Sequence, residues 1–310
     1  MEADIVIRTT VPIFLLIALG FLSRKIGILK AGDERILSAY VYYFALPALF
    51  LVDLAGVNFT EENFRFILAG ITPILIVLAV YIIAYLILKF SKETLYLLIL
   101  NTVFGSLTFF GIPFLMFAFP TMESETLATL SAASISVVSV AVSITVLELY
   151  KLRESATKKE GLKRVAKRLS KNPLIASILF GILLALSRLE IPQPIWTPLH
   201  MLGSTTSTVA IFMLGVFLYG RKYSNMAKAF KLSLLRTVLL PLIAVFIIML
   251  LDVRGVARAT LVIMHAVPVA ISMIVLSERY DFHKETIASL ILVSSLGAGL
   301  YLNLWLLLLQ

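Results

Sequence analysis

Cysteine is absent from the 310 residues, which excludes disulfides and thiolate metal ligands. Side-chain amides are nearly as scarce, with six Asn and two Gln. Charged residues make up only 15% and hydrophobic ones 60%, whereas a soluble domain averages roughly 25% charged and 45–50% apolar. Such a chain cannot hide its apolar surface in a soluble core, and several runs exceed the roughly 18 apolar residues that mark a spanning helix. Motifs for intramembrane enzymes are missing as well: there is no H-E-x-x-H, no G-x-S-x-G and no pair of membrane aspartates. An enzyme is therefore not expected. The three histidines, His200, His265 and His283, are too scattered for a metal cluster, so no metal or cofactor is expected. Acids are also rare inside the runs. Asp53, Glu148, Asp252 and Glu278 fall near run ends, which deprives an acid-based ion exchanger of its usual groups.

What is present is an all-α polytopic membrane protein. Apolar runs bounded by charge predict ten spans, at about 5–22, 34–54, 66–89, 93–119, 125–150, 172–189, 196–219, 228–251, 256–277 and 284–309. The N-terminus, MEADIVIR, is acidic and runs into a full-length span, so no signal peptide is expected. The odd-numbered loops hold twenty-one of the 27 basic residues, nine of them in KLRESATKKEGLKRVAKRLSK (151–171). Basic loops stay cytoplasmic, which puts both termini outside the cytoplasmic membrane. The net charge of +9 is thus mostly topology rather than a nucleic-acid patch. Contact of the fifth loop with anionic lipid is a secondary reading.

The chain repeats itself. ETLATL (125–130) opens the fifth span and ETIASL (285–290) the tenth. Residues 1–150 and 172–310 match in character span by span, with the basic loop 151–171 between them. Five is odd, so the second half must enter the membrane from the opposite side: two inverted five-helix repeats. Inverted repeats with broken helices at matching positions point to a secondary transporter with its site near the midplane.

The fourth and ninth spans are those helices. LILNTVFGSLTFFGIPFLMFAFP (98–120) carries Asn101, Gly105, Ser106, Thr108, Gly111 and Pro113 at membrane depth. MHAVPVAISM (264–273) carries His265, Pro268 and Ala270. Proline lacks an N–H and clashes with the carbonyl one turn back, and broken backbone at membrane depth is tolerated only where protein or a water-filled cavity covers it. Taken singly, each proline reads as a packing kink. As a matched pair, the breaks predict a crossover that suits an anion, because half-helix N-termini expose N–H groups and partial positive charge. His265 reads as a substrate ligand, a proton carrier or a packing residue. Arg236, near the inner end of the eighth span, is expected to snorkel to the interface, with anion binding as the other reading. Ser204, Thr205, Ser294 and Ser295 are weaker pocket candidates, since small hydroxyl residues also serve helix packing.

These pieces resemble the auxin efflux carrier family, which includes the plant PIN proteins and bacterial malonate and malate carriers. The likeness runs end to end through FALPALF (44–50), GIPF (111–114), LGSTTSTVAIFMLG (202–215), HAVPVAISMIVLSERYDF (265–282) and the serine pair 294–295. One departure stands out. Family members often carry an Asn five residues before the G-x-P glycine, where this chain has Ser106, preceded by Gly105. The resemblance implies a sodium/proton-antiporter-like fold, with helices 1, 2, 6 and 7 as scaffold and dimer surface. Helices 3–5 and 8–10 would form a moving transport domain, with the fourth and ninth crossing at the substrate. It further implies a homodimer, an elevator-like displacement and efflux of an organic anion, a carboxylate or auxin-like molecule. Sodium or proton coupling, as an exchanger or symporter of the same architecture, stays open.

Overall fold

The computed structural model describes residues 2–151, 163, 166–167, 169–220 and 222–309; the basic loop expected at 151–171 lies for the most part outside them. Among the described residues the regular elements are all helices. In order, its helices are α1 (Glu2–Lys25), α2 (Asp33–Ala55), α3 (Glu61–Leu88), α4 (Lys92–Val103), α5 (Leu107–Ala118) and α6 (Met122–Lys151). They continue as α7 (Pro173–Leu186), α8 (Gln193–Leu218), α9 (Met226–Leu250), α10 (Gly255–Ala266), α11 (Met273–Tyr280) and α12 (Lys284–Leu308).

Seven of these (α1, α2, α3, α6, α8, α9 and α12) are long and apolar enough to cross a bilayer, so the protein is a multi-pass membrane protein. The expected sixth span is the 14-residue α7, about 21 Å long at 1.5 Å per residue. The expected fourth and ninth spans each come in two pieces, α4 with α5 and α10 with α11.

Local chemistry sets the helix ends. Thr60 accepts from the backbone N–H of Asn63 ahead of the acidic first turn of α3, and Ser91 accepts from Thr94 at the start of α4. Asn172 caps α7 through Leu174 and Ile175, with Pro173 in the first turn. Three spans contain a π-helical turn, Val41–Ala45, Leu107–Gly111 and Leu235–Leu239. Each is followed two residues later by a proline: Pro47, Pro113 or Pro241. The proline cannot bond one turn back, and the backbone accommodates it by widening the preceding turn.

Packing divides the helices into two sets. Helices α1, α2, α7 and α8 pack chiefly on one another, whereas α3, α4, α6 and α9–α12 pack mainly among themselves, and α5 lies against both sets. Within the first set, Gly20 of α1 and Gly215 of α8 let two backbones touch: a Cβ on Gly20 would strike the Phe212 carbonyl, and one on Gly215 that of Ile17. Polar bonds also cross between the sets. Arg8 donates to the Ala118 carbonyl, Thr9 and Thr10 bond Asn303, and Thr129 donates to Asp53 at 2.6 Å.

Candidate functional site

The two interruptions meet, and the backbone accounts for how. Between Val103 and Leu107 the fourth span is extended enough to pair, antiparallel, with the stretch around Val269. Ser106 N–H donates to the Pro268 carbonyl at 2.8 Å, and Ala270 N–H donates to the Phe104 carbonyl at 2.9 Å. Val269 N–H donates to the Ser294 hydroxyl, which itself donates to Leu290. Each break thus supplies the partners that the other has lost, which a bilayer core requires.

The remaining carbonyls turn to Arg236. Far from snorkelling to an interface, this side chain is 1% exposed. Its Nε donates to the Val267 carbonyl at 2.8 Å, Nη1 to Thr102 at 2.5 Å and Nη2 to Met264 at 3.4 Å. Met264 lies four residues before Pro268, so its carbonyl has lost its helical donor. Thr102 and Met264 stand in the last turns of α4 and α10, where carbonyls are unpaired and the partial charge is negative. The snorkelling expectation failed because it used depth alone. The π-helical turn Leu235–Leu239 swings position 236 inward, and a guanidinium can reach several carbonyls at once. Pro241 frees the Thr237 carbonyl of this turn, and the Trp305 indole N–H takes it at 2.9 Å.

Gly105 has a reason of size. A Cβ there would fall on the Arg236 guanidinium itself. Gly111 lies beside α10: a Cβ would come 2.6 Å from Met264 Sδ and 3.0 Å from Val267 Cγ1. The structural role of both glycines is close approach.

The other candidates divide. Asn101 is buried and donates to the Leu232 carbonyl, leaving its Oδ1 unpartnered. The hydroxyls of Ser106 and Ser295 are buried without partners. Thr108 is half-buried in the π-helical turn and Pro113 is buried just after it. His265 is 1% exposed but is turned toward α3: Nε2 is 2.9 Å from the Gly70 carbonyl and Nδ1 is 2.7 Å from Leu261. A neutral imidazole can donate to one of these carbonyls; donation to both needs the imidazolium. Ser204 is exposed and bonds within its own helix, and Thr205 bonds Leu202 and Tyr40. Neither bonds to the crossing. Among the described residues no group of acids and histidines could hold a metal ion.

Thr102, Met264, Val267 and Trp305 escaped the sequence reading, three of them because they act through backbone carbonyls. Arg236 did carry a signal, as a lone arginine in an apolar run.

A family model described as "Membrane transport protein" matches residues 5–306. Two relatives are similar along nearly their whole length. An uncharacterized transporter of Methanocaldococcus jannaschii is 24% identical over 306 residues, covering 94% of this chain and 95% of that protein. The uncharacterized transporter YfdV of Escherichia coli K12 is 26% identical over 302 residues, covering 95% of this chain and 94% of that protein.

Proposed function

Because the chain belongs to the membrane transport protein family, we propose that it is a secondary transporter that exports an organic anion, a carboxylate or auxin-like molecule, across the cytoplasmic membrane. The observation that carries this reading is the crossing of two interrupted spans around a buried arginine. Asn101 Oδ1 and the Ser106 hydroxyl are buried and unpartnered. Buried polar groups normally find partners, so a polar ligand is the natural complement. The site consists of Asn101, Gly105, Ser106, Thr108, Gly111, Pro113, Pro268 and Ala270, with Arg236, Ser294 and Ser295 behind them.

The full architecture is ten spans in two inverted five-helix repeats, with both termini outside. The mutual packing of α1, α2, α7 and α8 supports a scaffold, doubled in a homodimer. The second set supports a transport domain that shifts as a body to give alternating access. Polar bonds between the sets, such as Asp53 to Thr129, would be exchanged during that shift.

The test is uptake of labelled malonate, malate and indole-3-acetate into proteoliposomes, comparing the wild type with Pro268→Ala/Gly111→Leu. Loss of uptake in a folded variant is expected. Full activity would remove the crossing from the mechanism. A proton-coupled exchanger or symporter is the second reading, favoured by the two carbonyls at His265. It requires His265→Gln to flatten the pH dependence of uptake.

A further inference from the structure

Three backbone carbonyls converge at the crossing, from Thr102 at the end of α4 and from Met264 and Val267 at the end of α10. Unwound carbonyls and half-helix C-termini are the groups with which transporters coordinate a small cation. Each helix C-terminus carries about half a negative charge, so two together nearly match one monovalent cation. Here the place is taken by a guanidinium from the protein's own chain. Gly105 has no side chain where that guanidinium lies, and Arg236 is fully enclosed.

We propose that Arg236 is a tethered cation filling the carbonyl cage of the crossing, so that transport proceeds without a dissociable metal cation. The transport clause rests on the function proposed above; occupancy of the cage does not. A permanent cation holds the two half-helix ends together through every cycle. It also leaves the crossing without the negative potential that two uncapped C-termini would impose on an approaching anion. Arg236 is in this sense a positioning residue: it secures the backbone that binds, and its charge is used up by carbonyls.

Removal of the side chain should turn the cage into an open cation site. Purified wild type and Arg236→Ala are compared by thermal unfolding in detergent, at constant ionic strength, with sodium, guanidinium or choline chloride at low millimolar concentration. The wild type should not distinguish the salts. Arg236→Ala should be stabilised by guanidinium or sodium over choline, with the folded-to-unfolded ratio rising about elevenfold at ten times the dissociation constant. A wild type stabilised selectively by sodium, or an Arg236→Ala protein indifferent to all three, would overturn the assignment. Should Arg236→Ala not fold, Arg236→Gln vacates the same charge in a longer side chain and is read in the same way.

Gly105→Ala gives an independent arm, because its Cβ displaces the guanidinium. Its loss of stability and that of Arg236→Ala should fail to multiply in the double variant; independent losses would also count against the cage. In proteoliposomes, malonate uptake by the wild type should change less than about twofold when choline replaces sodium, and guanidinium should restore part of the uptake lost in Arg236→Ala. If the wild type carries none of the three anions, the proposed function falls, while the salt-dependent unfolding still decides the role of Arg236.

Discussion

The Trp305 indole provides a direct test of how the arginine is held. Pro241 deprives the Thr237 carbonyl of its helical donor, and Trp305 supplies one at 2.9 Å. Thr237 is 3% exposed, so no solvent replaces a lost partner. Trp305→Phe keeps an aromatic ring but removes the N–H, leaving a buried carbonyl unpaired at a cost of about 1–3 kcal/mol. That corresponds to roughly a five- to 150-fold fall in the folded-to-unfolded ratio. Part of the measured loss will come from the smaller ring. The double-mutant cycle with Pro241→Ala separates the two effects, because residue 241 then regains an N–H that can bond Thr237. In that background Trp305→Phe should cost less, with a coupling of about 1–3 kcal/mol. Equilibrium unfolding in mixed micelles, followed by far-ultraviolet circular dichroism, measures it. A cost that is unchanged within about 0.5 kcal/mol by Pro241→Ala would refute the backbone accounting at the π-helical turn.

Other outcomes follow from the same geometry. Thr129→Val removes the donor to Asp53 between α2 and α6 and should cost about 1.5–3 kcal/mol; Asp53→Ala should largely absorb that cost in a double-mutant cycle. Gly215→Leu drives a side chain into the Ile17 backbone, and α1 and α8 should separate, seen as a sharp loss of detergent-stable monodisperse protein. Tyr280→Phe withdraws the hydroxyl that donates to buried Glu148 at 2.6 Å, which should lower stability by about 1–3 kcal/mol in thermal unfolding. Lys284 holds the Asp281 carboxyl below its ordinary range, through a hydrogen bond and then its charge. A depressed carboxylate stabilises above its ordinary pKa, and that contribution is lost as pH falls through the lowered value. Because Asp281 is fully exposed, solvent screens the pair, and Asp281→Asn should leave unfolding between pH 5 and 8 nearly unchanged.

Much of the helical layout is legible before any coordinates. Long apolar runs mark α3, α6 and α12 unambiguously, because a bilayer demands uninterrupted apolar length. Pro113 and Pro268, each amid small residues, mark the interrupted spans. The meaning of Arg236 is not legible in this way. Its depth in an apolar run suits an interfacial arginine, and only the widened turn before Pro241 decides that it points inward. His265 shows the same limit from the other side. One helical turn from Pro268 in sequence, it is turned to the Gly70 carbonyl of α3, because a helix can present neighbouring residues to different partners.

By itself the sequence determined that this protein lives in a membrane and that two of its apolar runs are interrupted, at Pro113 and at Pro268. Hydrophobicity and proline chemistry act locally, so composition and spacing suffice for them. Tertiary structure decided which broken backbone pairs with which: Ser106 with Pro268, Phe104 with Ala270, and both interrupted ends with one guanidinium. The two backbone pairs and Arg236 with Thr102 lie more than a hundred residues apart, Arg236 and Val267 31 apart, and an unpaired carbonyl has no residue-type signature. Its partner is set by whatever polar group the packing brings within about 3 Å.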